Sequence, residues 1–221
     1  MSKAAPDSSR IFEIGTGFQA SKTLLSAVEL RLFTVLAEGP LTGEQIGDRL
    51  GLHPRAIYDF LDGLVALRFL ERDGDGPDAR YRNTPDTAEY LDANKPTYIG
   101  GLLEMCNSRL YGFWCDLTEA LQTGQPQNEL KRGGTSTFAE LYSDRARLEE
   151  FMRAMAGISL DSSRALAERF DFSNYRSVCD IGGATGQLSM MIAERHPHLS
   201  CTTFDLPVVV PIAEKAIAAA G

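Results

Sequence analysis

Residues 177–188, SVCDIGGATGQL, decide how the second half of this chain is read. Val178-Cys179-Asp180-Ile181 is a short apolar run of the kind shown by a buried parallel strand. Gly182, Gly183 and Gly186 follow, and Gln187 to Glu194 continue in a helical pattern. Glycine lets a backbone turn tightly and approach a ligand without Cβ interference. Such a turn aims free N–H groups of the helix start into the cleft at the strand's C-terminal end. A second strand, Ser200 to Phe204, ends in Asp205. That acid stands about twenty residues past the turn, where a carboxylate accepts both hydroxyls of a ribose. The pattern is a βαβ unit suited to an adenosine-containing ligand.

The spacing narrows the choice of ligand. A dinucleotide fingerprint wants glycines at its first, third and sixth positions. Counting from Gly182, the third position is Ala184 and the sixth Gln187. A Walker-type loop fails for want of a Gly-Lys-Ser/Thr ending. Asp180, directly before the turn, would repel a pyrophosphate and favour a ligand carrying an ammonium and a sulfonium. This points to S-adenosyl-L-methionine. A βαβ unit holding no ligand is the competing reading.

The bulk numbers agree with a globular protein. The chain has 221 residues, 43% hydrophobic and 24% charged, which affords a conventional core. Its formal net charge of −8 disfavours a nucleic-acid backbone or an anionic membrane as main partner. Cys106, Cys115, Cys179 and Cys201 show no C-x-x-C spacing and no His-Cys cluster, so no metal site is expected. Cys179 and Cys201 lie in strand-like apolar runs and read as buried thiols, which fits a reducing cytoplasm. The N-terminus MSKAAPDSSR lacks the apolar core of a signal peptide. No apolar run reaches the ~18 residues that a bilayer-crossing helix needs.

Ahead of the glycine turn the chain reads mostly as helix. Residues 1–9 form a tail. Arg10 to Leu36 is helical in pattern, interrupted by Gly15 and Gly17, with Leu24, Leu25, Val28 and Leu32 on one stripe. That stripe packs either in its own domain or against a second subunit. Thr42 and Gln45 form a capping box that opens a helix running to Leu50. His53-Pro54 opens another, with Ile57, Phe60, Leu61, Leu64 and Leu67 on its apolar face. Phe69 to Arg72, a turn at residues 73–77 and Tyr81 to Asn83 make a hairpin. Helix, turn, helix and hairpin is a winged helix-turn-helix. Its candidate reading helix offsets Arg55 and Arg68 with Asp59 and Asp62, and its hairpin tip is acidic, which opposes docking on phosphates.

Thr97 to Thr123 is one helix or two, ending at Gly124, with Phe113 and Trp114 in the core. Residues 125–136 are a polar loop. Phe138 to Leu141 is a short helix and Asp144 to Phe170 a long one. Phe151, Met152, Met155 and Ile158 face inward from the long helix. Phe151 and Met155 read as core, with a pocket for a flat apolar ligand as the alternative.

These runs together resemble a known family. DIGGATG (180–186), PHLSCTTFDLPVV (197–209), FMRAM (151–155) and LTGEQIGDRLGLHPRAIYDFLDGLVALRFLER (41–72) resemble the S-adenosylmethionine-dependent O-methyltransferases of the caffeate, hydroxyindole and bacterial polyketide-tailoring type. The resemblance spans nearly the whole chain. The family usually carries a third glycine where Ala184 stands, a mild departure that still permits the turn.

The resemblance implies an α/β fold in two parts. Residues 1–96 are a helical winged-helix dimerisation domain. Residues 97–221 are a helical linker and the first part of a Rossmann-like methyltransferase domain. Gly182, Gly183 and Gly186, with Asp180, lie along the methionine part of the cofactor. Asp205 binds the ribose and Leu206 adjoins the adenine. Met155 and Phe151 border the methyl-transfer site. The partners implied are a hydroxylated aromatic or polyketide-like small molecule and a second copy of the chain, with no nucleic acid and no membrane.

The family's catalytic histidine, a general base for the acceptor hydroxyl, belongs at a strand end beyond Asp205. His53, His196 and His198 do not sit there, so no catalytic residue is expected within 1–221. Two strands with their helices leave a parallel sheet with an exposed edge and apolar faces, so the expectation is that Gly221 truncates a longer enzyme or that another chain completes it. The rival readings are a non-catalytic cofactor-binding and dimerisation module and, further off, a winged-helix DNA-binding regulator.

Overall fold

A computed structural model of the chain describes residues 6–132 and 137–220. Residues 1–5 of the expected tail and 133–136 of the expected loop lie outside the described residues. The chain divides into two compact units, residues 1–98 and 99–221.

In the first unit, α1 (Ser9–Glu29) runs unbroken through Gly15 and Gly17, contrary to expectation. Each glycine costs a helix about 1 kcal/mol against alanine, which a long helix absorbs. The break falls instead at Arg31, which takes a left-handed φ of +59° before α2 (Leu32–Leu36). β1 (Leu41–Thr42) leads into α3 (Gly43–Leu50), whose capping box is formed on both sides. Gly51, left-handed at φ +65°, ends it. α4 (Pro54–Ala66) starts with proline in its first turn and His53 as N-cap. Ile57, Leu61 and Leu64 are buried along its inner face, while Leu67 sits at its exposed end.

β2 (Leu70–Asp73) and β3 (Arg80–Asn83) pair antiparallel, with Arg72 opposite Tyr81. β3 also pairs with β1, giving the sheet order β1-β3-β2. Asp62, on α4, accepts hydrogen bonds from the Tyr81 hydroxyl at 2.8 Å and from Arg72 at 2.9 Å, tying the helix to the hairpin. α5 (Pro85–Tyr90) closes the unit, capped by Thr84.

The second unit opens with α6 (Gly100–Met105), a π-helical turn at Cys106–Leu110 and α7 (Tyr111–Trp114). α8 (Leu117–Thr123) ends at Gly124 with φ +67°. Trp114 is 69% exposed rather than core. The π turn adds a residue to the repeat and rotates α7 away from the face that a regular helix would present. α9 (Thr137–Ser143) precedes α10 (Arg145–Arg169), which Asp144 caps by accepting from the N–H groups of Ala146 and Arg147. Met152 is buried on α10 but Ile158 is 53% exposed, because the helix changes neighbours along its length.

β4 (Ser177–Ile181) and β5 (Ser200–Phe204) pair in parallel around α11 (Gln187–Arg195), and α12 (Val210–Ala220) comes after them. The strand pair is covered on one face only, leaving the open apolar face expected of a sheet with two strands. Val178 and Cys201 pack against Ala167 of α10 and Ile192 of α11. The alternate residues face the other way, with Ile181 at 79% and Phe204 at 64% exposure. Cys179 shares that open face and Cys201 is half-buried, so neither is the enclosed thiol expected. Period-two alternation assigns residues to faces and is silent on which faces are covered. Among the described residues no helix is long and apolar enough to cross a membrane, and no cluster of acids, histidines and cysteines could hold a metal ion.

Candidate functional site

The glycine turn leaves β4 and lies over the end of β5. Gly182 and Gly183 both donate their N–H groups to the Phe204 carbonyl, at 2.8 and 3.3 Å. Ala184 donates to Asp205 Oδ2 at 2.8 Å, and Gly186 to the Gly183 carbonyl at 2.7 Å. The N–H groups of the turn are therefore largely engaged in holding its shape. The group left open is the first turn of α11, whose N–H groups have no intrahelical acceptor.

The path of the turn favours glycine at three places, two by backbone conformation and one by lack of space. Gly182 and Gly186 stand at φ +78° and +77°. A Cβ at Gly183 would collide with Thr203 Oγ1 and come within 2.9 Å of Asp180 Oδ2. Ala184 takes a left-handed φ of +49° with its Cβ in place.

Two clefts meet at Ala184. The first, about 200 Å³, is lined by Met155, Ala156, Ser159 and Ser163 of α10, by Asp180, by the turn from Gly182 to Thr185 and by Gln187 and Leu188 at the helix start. The second, about 340 Å³, lies between β5 and α12 and is lined by Thr203, Asp205, Val210, Ala213 and Ile217 among others. Of the residues singled out from sequence, Met155, Asp180, Gly182 and Gly183 meet in the first cleft and Asp205 lines the second. Gly186 is buried as the N-cap of α11 and Leu206 is exposed beside Asp205. Phe151 packs on the cluster of Leu141, Leu148, Met152 and Val209 and lines neither cleft. Ser159 and Ser163 were missed, although the i, i+4, i+8 spacing from Met155 places all three on one helix face.

Burial, together with the nearby Asp205 carboxylate, raises the Asp180 carboxyl above the ordinary aspartate range. Thr203 Oγ1 is buried beneath the turn with no hydrogen-bond partner. An under-compensated carboxylate and an orphaned hydroxyl under a glycine cradle fit a ligand with a cationic group and hydrogen-bonding functions. The three histidines are occupied elsewhere: His53 caps α4, and His196 and His198 bond the carbonyls of Ala167 and Phe172 at 2.9 and 3.3 Å.

Two family models match the chain. Residues 12–92 match the model of an O-methyltransferase dimerisation domain, and residues 114–221 that of an O-methyltransferase domain. The chain belongs to the O-methyltransferase family. It is 40% identical over 205 residues to a tetracenomycin polyketide synthesis 8-O-methyl transferase of Streptomyces glaucescens, covering 93% of this chain and 58% of that protein. It is 40% identical over 208 residues to an N,N-dimethyltransferase of Streptomyces rimosus, covering 94% and 59% respectively. Among solved structures it is similar to human N-acetylserotonin methyltransferase in complex with SAM, at 28% identity and a TM-score of 0.85, covering 97% of this chain and 64% of that one. The chain thus spans somewhat under two thirds of the length of these relatives.

Proposed function

We propose that this chain binds S-adenosyl-L-methionine at the glycine turn and serves methyl transfer to a hydroxyl of an aromatic or polyketide-like small molecule. The observation that carries the reading is the convergence of Met155, Asp180, Gly182 and Gly183 on one cleft, with Asp205 next to it across Ala184. Residues 1–96 are the dimerisation domain, and residues 97–221 the linker and the cofactor-binding part. The working unit is a homodimer in the cytoplasm, acting on a small molecule and not on nucleic acid or a membrane.

The bound cofactor supplies a methyl group on a positively charged sulfur. Asp180 attracts the cationic amino-acid end, and Gly182, Gly183 and Gly186 let the backbone pass close to it. Asp205 accepts from the ribose hydroxyls, on lone pairs left after its bonds to Ala184 and Leu206. Leu206 flanks the adenine. Met155 walls the methyl-transfer site, and Phe151 supports that wall from the adjoining apolar cluster. None of the chain's three histidines is placed as a base for the acceptor.

Calorimetry with S-adenosylhomocysteine tests the binding step. Asp205→Ala is expected to lose roughly 1–3 kcal/mol of affinity through a missing charged hydrogen bond, and unchanged affinity removes Asp205 from the site. A labelled methyl donor with panels of phenols and amines tests transfer. The amines are included because one relative at 40% identity is an N,N-dimethyltransferase. Binding without transfer to any acceptor assigns the chain to a cofactor-binding and dimerisation role instead.

A further inference from the structure

The wall of the first cleft is one side of α10, and the opposite side of the same helix segment is pressed against α6. A Cβ on Gly101 of α6 would stand 2.9 Å from the Arg153 carbonyl carbon, 3.0 Å from its oxygen and 3.1 Å from the Ala154 nitrogen. In the reverse direction, a Cβ on Gly157 of α10 would stand 3.2 Å from the Ile99 Cα and 3.3 Å from its carbonyl oxygen. All these partners are backbone atoms, so no rotamer change relieves the contact. At about 100° per residue, Arg153, Ala154 and Gly157 lie roughly opposite Met155, Ser159 and Ser163 around the helix. The helix is therefore held by backbone contact on one side and presents the cleft wall on the other.

We propose that Gly101 and Gly157 are positioning residues that set how far the Met155–Ser159–Ser163 wall stands from the glycine turn. The proposal rests on reading that cleft as the S-adenosylmethionine site. Interaxial distance follows the bulk at the crossing point, and a methyl group at either glycine drives α10 away from α6 and towards Asp180 and Gly182. A cleft of about 200 Å³ tolerates little of that movement. The wall faces the amino-acid end of the ligand, whereas Asp205 and the ribose side are reached from the second cleft. Narrowing the wall therefore discriminates between ligands that carry the amino-acid arm and ligands that lack it.

The test is calorimetry with S-adenosylhomocysteine and with adenosine on the wild type, Gly101→Ala, Gly157→Ala and Gly112→Ala. Circular dichroism and melting curves verify folding. Gly112 on α7 has no atom within 4 Å of an added Cβ and serves as the control. Alanine is the better helix former at all three sites, so weakened binding is not a matter of propensity. Gly101→Ala is expected to weaken S-adenosylhomocysteine binding about tenfold, with a smaller loss in the less crowded Gly157→Ala. Adenosine affinity stays unchanged in both variants, and Gly112→Ala changes neither ligand. Should Gly101→Ala fail to fold, Gly157→Ala decides alone. Unchanged S-adenosylhomocysteine affinity, or an equal loss for adenosine, overturns the positioning role. A wild type that binds no S-adenosylhomocysteine overturns the cofactor reading first, and is seen before any variant is compared.

Discussion

Ala184 carries the strain of the glycine turn. Its φ of +49° is a region that costs an L-residue about 1–2 kcal/mol, and the Ala184 N–H bond to Asp205 helps to hold it there. Glycine at this position removes the steric cost but adds roughly 0.5–1 kcal/mol of entropy to be lost on folding. Ala184→Gly is thus expected to stabilise the protein by up to about 1 kcal/mol, read as a rise in melting temperature. A fall in stability means that the Ala184 methyl contributes more to the cluster around Leu148 and Val209 than the strain removes. Asp180, across the turn, gives a pH prediction. Its carboxyl is raised, so its folded state favours the protonated form. The stability tied to this group is present below the unfolded value near 3.9 and is lost as pH rises through the raised folded value. A cationic ligand favours the ionised form. Its affinity should therefore climb with pH through that range, with a proton released on binding. Calorimetry in buffers of different ionisation enthalpy reads that proton, and Asp180→Asn should abolish it.

At the scale of single elements, the features legible in the sequence are those that local chemistry writes within a few residues. The capping box of α3 is present as read: Thr42 Oγ1 accepts from the Gln45 N–H at 3.3 Å and Gln45 Oε1 from the Thr42 N–H at 2.9 Å. Thr42→Ala should accordingly cost about 1 kcal/mol, measured by denaturant unfolding of the whole chain. No loss would mean that α3 is held by its buried Ile46 face alone. Pro54 at the start of α4, the β2–β3 hairpin and the β4–turn–α11 run were legible for the same reason. Burial was not. Trp114 and Ile158 are apolar enough for a core, and only packing partners decide whether they are covered. The site divides along the same line. The glycines and both aspartates announce themselves as a turn between two strands. Thr203 beneath the turn and the backing of α10 by Gly101 depend on which chain segments meet, and no spacing rule encodes that.

At the scale of the whole molecule, α1 presents exposed apolar side chains over its first half. Leu25 and Val28 near its C-terminal end are buried, whereas Ile11, Phe12 and Ile14 near its start are exposed. Ile11 and Ile14 lie one helical turn apart, on the side that Leu25 continues. Covering three such side chains is worth several kcal/mol at about 1.5–3 kcal/mol each, which is the order of a specific self-association. Residues 12–92 match a dimerisation domain, so a second copy is the occupant that the proposed function requires. Against it stands the charge: a formal −8 on each chain becomes −16 on a pair, and like charges repel over about 10 Å at 0.1 M salt. Dimerisation driven by apolar burial against that repulsion should strengthen as salt rises, whereas association through ion pairs should weaken. Sedimentation equilibrium is expected to give twice the 24.2 kDa chain mass, with a dissociation constant that falls from low to moderate salt. The Ile11→Asp, Ile14→Asp double variant should sediment as a monomer while keeping its circular dichroism. If that variant stays dimeric, or if the wild type dissociates as salt is raised, the start of α1 is not the surface that joins the two copies.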